Sequence, residues 1–167
     1  SITSYLTKIM AKDISGKDET MVGTFYHVVS DLERVGDYAE NILEYSERLR
    51  GGNLDFSEEA KLELKEVIET IDALHDKCIL TFEKSTDTEL KEIERLEEKV
   101  DEAAVSLEGK HIERLRSGNC TPELGSIYLQ TVSNLERVGD HLTNIAFSIL
   151  NYEKSYVYKN KSTPNLS

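Results

Sequence analysis

The chain has no tryptophan and only two prolines in 167 residues. Few helix breakers, with abundant Leu, Glu and Lys, point to an all-helical protein. Cysteine is as scarce: Cys78 and Cys120 stand far apart. They form neither a CxxC pair nor a dense framework, so a reducing, cytoplasm-facing compartment is expected and no disulfide scaffold is. No apolar run approaches the ~20 residues of a membrane span, and no signal peptide is visible, so no direct membrane insertion of this chain is expected. Positive charge is also short, with 20 Lys and Arg against 32 Asp and Glu and a net charge of -12. That balance argues against nucleic acid or an anionic membrane surface as partner, since both require clustered cationic side chains. It leaves cations as candidate ligands. The sequence opens within a helical pattern and without an initiating Met, which suggests excision from something longer.

What is present is long helical periodicity. Ile2, Leu6, Ile9 and Met10 mark one side of a short helix, or of the end of a longer one. Ser15 and Asp18 resemble a capping box that opens a long helix to about Arg50. Its apolar positions Met21, Phe25, Val28, Leu32, Val35, Ala39 and Ile42 step by three and four, and Gly51-Gly52 should end it. A second long helix is expected from Ser57 to about Lys84, with a break over Ser85–Asp87. A third covers residues 88–116, with Leu90, Ile93, Leu96, Val100, Ala103 and Leu107 as its seam, and stops at Gly118. Thr121 and Pro122 open a fourth, to about Tyr152. Its seam runs from Leu124 through Tyr128, Val132, Leu135, Gly139 and Leu142 to Ile149. Residues 154–167 read as a polar, mobile tail. Long helices with short connections should pack antiparallel with their sequence neighbours, which gives an antiparallel helical bundle.

One string occurs twice. VSDLERVGDYAENI at residues 29–42 returns as VSNLERVGDHLTNI at residues 132–145, with ten of fourteen positions identical at an offset of 103. The repeat implies two copies of one structural unit. Each copy carries a carboxylate pair four residues apart, Glu33/Asp37 and Glu136/Asp140, which a helix places on one side. The helix before the second copy has the same spacing in Glu97 and Asp101. If the hairpin turns near Gly118-Asn119, the two pairs lie equally far from the turn and flank their seams on the same rotational side. Asp101 should then stand level with Glu136, and Glu97 with Asp140. Four converging carboxylates repel one another unless a cation offsets the charge, and all-oxygen ligands suit hard or intermediate ions. Iron, manganese, zinc, magnesium and calcium are the candidate metals. Asn41 and Asn144 lie one turn on as supporting groups, and His141 is an adjacent extra ligand candidate. Asp72/Asp76 has the same spacing with no partner and reads as surface. Arg34 and Arg137 are next to their glutamates and so should point away from the pairs. Gly36 and Gly139, costly inside helices, suggest close helix packing. Applying the repeat to the first copy puts the partners of Glu33/Asp37 upstream of Ser1. Either the first copy is a half-site or a second molecule completes it in a homodimer.

The LERVGD motif, with Asn four residues after its Asp, and the Glu97–Asp101 stretch resemble the PhoU family. That resemblance implies an all-α bundle of three-helix repeats bearing surface metal clusters held by Glu/Asp-x-x-x-Asp motifs. By it, residues 1–52 correspond to the last one and a half helices of a first repeat, and 57–153 to a complete second one. Residues 111–147 look most like the cytoplasmic PhoU-like region of bacterial sodium/phosphate cotransporters. The implied function is a non-enzymatic accessory or regulatory domain for phosphate transport, cytoplasmic and joined to an inner-membrane transporter domain of the same polypeptide. Two alternatives remain. A ferritin-like carboxylate metalloenzyme would require inward-facing ligands with Glu-x-x-His motifs, whereas these carboxylates flank the seam. A metal-free scaffold bundle would simply solvate its acidic edge.

Overall fold

The computed structural model describes residues 1–84 and 86–161, with side chains described up to residue 150. It contains five helices and, among the described residues, no strand: α1 (Ile2–Met10), α2 (Gly16–Gly51), α3 (Glu58–Lys84), α4 (Leu90–Arg116) and α5 (Pro122–Lys161).

The local signals act where expected, with differences in detail. The Ser15 hydroxyl accepts from the Asp18 amide at the start of α2. At its end, Gly52 is still right-handed, and the left-handed residue is Asn53, at φ 50°. The Leu54 amide reaches back to the Leu49 carbonyl at 2.9 Å, so a Schellman-type stop is built on asparagine. Ser57 caps α3 through the Ala60 amide. Part of the expected break at Ser85–Asp87 lies outside the described residues, at Ser85. Gly118, at φ 72°, closes α4, and the Asn119 amide bonds the Arg114 carbonyl. Helix α5 runs about two and a half turns beyond Tyr152, to Lys161, because no glycine or proline intervenes before Pro164. The rest of the tail, 162–167, lies outside the described residues.

Helix α5 is the axis of the molecule, packing on α2, α3 and α4, while α3 also packs on α4 and α1 on α2. This corrects the expectation that all sequence neighbours pair: among the described residues α2 and α3 are consecutive yet their backbones do not pack side by side. The reason lies in α5, whose sequence is apolar on two sides. Tyr128, Val132, Leu135, Leu142 and Ala146 enter one core with Leu64, Val67, Ile71 and Leu74 of α3 and Ile93, Leu96, Val100 and Leu107 of α4. Its other side meets α2, where Asn41 donates to Asn134 at 3.3 Å and Asp31 lies 2.8 Å from His141. The two copies of the repeated string therefore face each other across an antiparallel pair. Residue 31 meets 141, and 41 meets 134.

Only Val22 and Val28 are buried along α2; Met21, Phe25 and Leu32 of its expected seam are exposed. The corresponding α5 positions are covered by α3 and α4, whereas over α2 among the described residues there is only α1, at the place of the last turns of α4.

Candidate metal centre

The register of the α4–α5 hairpin brings three of the four expected carboxylates together. Glu97 and Asp101 project from α4 and Asp140 from α5, each offering an oxygen within 4.8 Å of the other two. All three are half-buried, which sets them apart from a solvated acidic face. Val100, between the two α4 carboxylates in sequence, is anchored in the core, so the helix cannot rotate them away. Glu136, one turn before Asp140, is half-buried at the rim of the same group. Beside it, Ser133, Glu108 and Arg137 help line a cleft of about 330 Å³ between α4 and α5.

The electrostatics are unfavourable without a counter-charge. Burial first, then the Asp101 and Asp140 charges, hold the Glu97 carboxyl above its ordinary range. Burial and Asp140 do the same to Asp101. Glu136 is raised by burial and by Asp140, with Arg137 pulling the other way. The Oδ1 atom of Asp101 is buried and has no hydrogen-bond partner among the described residues. A buried carboxylate oxygen without a donor is costly. A hard cation is the species that satisfies such a donor set, so these residues fit the metal that their pattern implies.

Several expectations need correction here. Arg137 does not point away: its guanidinium lies 3.5 Å from Glu136 and 3.6 Å from Asp140. Arg34 likewise lies 3.8 Å from Asp37. The partner aspartate is three residues on, within reach of a long flexible side chain whatever the direction of its Cβ. His141 is not aimed at the carboxylates; it pairs with Asp31 and stacks on Tyr38, with ring centroids 5.7 Å apart. Asn41 is spent on Asn134 across the α2–α5 contact, and Asn144 is exposed. Asp72 and Asp76 are on the surface. The glycines of the motif are not tightly packed. A Cβ at Gly139 would meet Val100 and Leu74 at ordinary distances of 3.5 and 3.8 Å, and one at Gly36 would meet nothing within 4 Å.

Glu33 and Asp37 are exposed, and no described carboxylate from another helix joins them. The Thr3 hydroxyl donates to Glu33 at 3.4 Å, so α1 supplies an alcohol at that level.

A Glu-x-x-His run does occur, from Glu108 to His111. Its geometry is not that of a ligand pair, because Glu108 is exposed while His111 is buried and stacked on Tyr128 at 4.9 Å. His111 belongs instead to a buried polar cluster that pattern reading missed. Glu63, 8% exposed, accepts from Tyr128 at 2.8 Å and from Arg114 at 2.9 Å, and Lys110 approaches at 3.2 Å. Burial alone would raise the Glu63 carboxyl, but the hydrogen bonds from Tyr128, Arg114 and Lys110 outweigh it and hold the group low. The signal was present in the sequence: Glu63 sits three residues after Ala60 and four before Val67, in the apolar seam of α3.

The match to known proteins covers both copies of the repeated string. A family model described as the PhoU domain matches residues 1–46 and 64–149. The chain belongs to the PhoU family. It is also 30% identical over 125 residues to the phosphate-specific transport system accessory protein PhoU homolog 1 of Thermotoga maritima. That alignment takes in 74% of this chain and 53% of the Thermotoga protein, so the chain spans about half the length of that curated relative. No solved structure matches the chain. The all-helical bundle agrees with PhoU membership, and the Glu97–Asp101 and Glu136–Asp140 segments lie inside the matched region. No helix among the described residues is long and apolar enough to cross a membrane.

Proposed function

We propose that this chain is a non-enzymatic accessory domain that regulates phosphate transport and holds a cation at the α4–α5 edge. PhoU membership and the accessory role in phosphate transport that the Thermotoga relative is named for support the transport reading. The convergence of Glu97, Asp101 and Asp140 within 4.8 Å carries the metal reading. The finer assignment is to the cytoplasmic side of a sodium-dependent phosphate transporter whose membrane part belongs to the same polypeptide. It rests on the resemblance of residues 111–147 to the PhoU-like region of those cotransporters.

Glu97, Asp101 and Asp140 would hold the cation, with Glu136 as the fourth carboxylate. A bound di- or trivalent ion supplies positive charge that offsets their repulsion and ties α4 to α5. Arg137, 3.5 Å from Glu136 and 3.6 Å from Asp140, contributes positive charge to the same edge. Phosphate has no glycine-rich cradle in this sequence, and the acidic edge repels it, so regulation through helical surfaces fits better than direct capture.

Elemental analysis of protein dialysed against manganese or ferric iron tests the metal reading. Stoichiometric metal is expected in the wild type, with most of it lost in Asp101→Asn/Asp140→Asn. Wild-type protein without stoichiometric metal, and with an unchanged melting temperature, would sink it. For the transport reading, the same double substitution in the intact polypeptide should alter cellular phosphate uptake at constant protein level. Unaltered uptake counts against a regulatory role for this edge.

A further inference from the structure

Near the α4–α5 turn, one histidine is sealed between two helices with no polar partner. His111 is 2% exposed, and neither of its ring nitrogens has a hydrogen-bond partner among the described residues. Its ring lies on Tyr128 of α5, with centroids 4.9 Å apart. Its edge abuts α5 backbone at Gly125, where an added Cβ would fall 2.6 Å from Nε2. The ionisable groups linked to it by contact or charge are Glu63 and, through Arg114, Glu59 on α3, Lys110 and Arg114 on α4, Cys120 in the connection and Tyr128 on α5. Glu63 faces Tyr128 and Arg114 through one oxygen and Lys110 through the other, and neither oxygen bonds the imidazole. Burial, and then the Arg114 charge, hold His111 below the ordinary histidine range, with Glu63 pulling the other way.

We propose that His111 latches this end of the bundle and that acidification releases it. A neutral imidazole has one N–H and one lone pair, and here it packs as an aromatic ring. Protonation adds a second N–H and a full charge beside Arg114, where the ring has neither an acceptor nor a water-facing edge. The imidazolium is solvated only when the last turns of α4 part from the first turns of α5. The connection that moves, residues 117–121, is mostly exposed and contains the left-handed Gly118. Between about pH 5 and 7.5 His111 is the group of this cluster whose charge changes. Glu63 is held low, while Tyr128, Arg114 and Cys120 are pushed up. By linkage, the open state binds the proton more tightly. The closed end is therefore fully stable above the ordinary histidine value, about 6.5, and loses stability as pH falls below it toward the folded value. Glu97, Asp101 and Glu136 are raised instead, so the carboxylate edge has the opposite sign and a local measurement separates the two regions. The latch requires neither metal nor the transport role.

The test is hydrogen exchange of the 167-residue chain between about pH 5 and 7.5, corrected for the intrinsic rates of free amides. The opening constant of amides in residues 107–115 and 123–128 is expected to rise about tenfold per pH unit below about 6.5, until the folded value is reached. Amides of residues 93–100, beside the carboxylate edge, should not follow. His111→Phe keeps an aromatic ring on Tyr128 and should abolish the pH dependence at this end. Exchange there that is flat with pH, or that rises equally in α3, α4 and α5, overturns the proposal, as does a pH dependence that survives in His111→Phe. Should that variant fail to fold, the imidazole resonances of wild-type His111 decide. Titration below the ordinary histidine value is expected, and titration at or above it refutes the latch.

Discussion

Glu63→Gln isolates the buried polar cluster at the end of the three-helix unit. The substitution keeps side-chain volume and leaves an amide oxygen for the Tyr128 hydroxyl, 2.8 Å away in the wild type. It removes the negative charge that faces Arg114 at 2.9 Å, and Arg114 is only 14% exposed. Breaking a buried pair by neutralising one partner costs ~3–5 kcal/mol, because the other charge stays desolvated. Partial exposure of Arg114 places the expected loss at the lower end, about 3 kcal/mol. For a chain of this length that is a fall of roughly 6–12 °C in melting temperature. Lys110 is the control. It approaches the same carboxylate at 3.2 Å but is 53% exposed, so Lys110→Gln should cost less than ~1 kcal/mol. Urea titration followed by circular dichroism measures both. The double change Glu63→Leu/Arg114→Met should recover most of the loss, since an apolar pair replaces the ion pair without leaving a stranded charge. A Glu63→Gln cost no larger than that of Lys110→Gln, or a double variant as unstable as the summed single ones, refutes the reasoning.

Two further predictions follow from packing and from linkage. Gly125→Ala should destabilise by ~1–2 kcal/mol despite alanine's better helix propensity, because a Cβ there falls 2.6 Å from Nε2 of the enclosed His111; Gly36→Ala, which meets nothing, should stabilise by up to ~1 kcal/mol, and equal thermal shifts for the two would contradict the packing described. Glu97, Asp101 and Glu136 are held above their ordinary values by burial and then by neighbouring carboxylates, Asp140 in each case among them, so the folded state binds protons more tightly than the unfolded one; the stability they contribute is complete below the ordinary carboxylate range and is lost as pH rises through their folded values. Melts in EDTA between about pH 4 and 7 should therefore show a smaller decline with rising pH in Asp101→Asn/Asp140→Asn than in the wild type, and parallel profiles would show that the carboxylates are not coupled as described.

How much was legible in advance varied with the range of the interaction. Helix limits came from local chemistry, such as Ser15 and Thr121 as caps, Pro122 in a first turn and Gly118 at a stop. The carboxylate edge was nearly as legible, because an antiparallel hairpin with one known turn fixes register. Glu97, Asp101 and Asp140 then meet by counting alone. Side-chain direction was less so. The sequence placed Arg137 away from the pair by its Cβ vector, while its flexible stem returns the guanidinium to Asp140. His141 looked like a ligand because it adjoins Asp140, yet it serves the contact with α2 through Asp31.

The sequence by itself determined an all-helical chain, a duplicated motif and one paired-carboxylate edge, because periodicity, capping and hairpin register are set by residues near one another in the chain. Only the tertiary structure decided that α5 lies between α2 and the α3–α4 pair, that Glu63 is buried among Tyr128, Arg114 and Lys110, and that two nearly identical strings have opposite fates. The physical reason is that burial belongs to the neighbours of a residue: Leu135 and Leu32 share one local sequence, but α3 and α4 stand over the first and no described helix stands over the second.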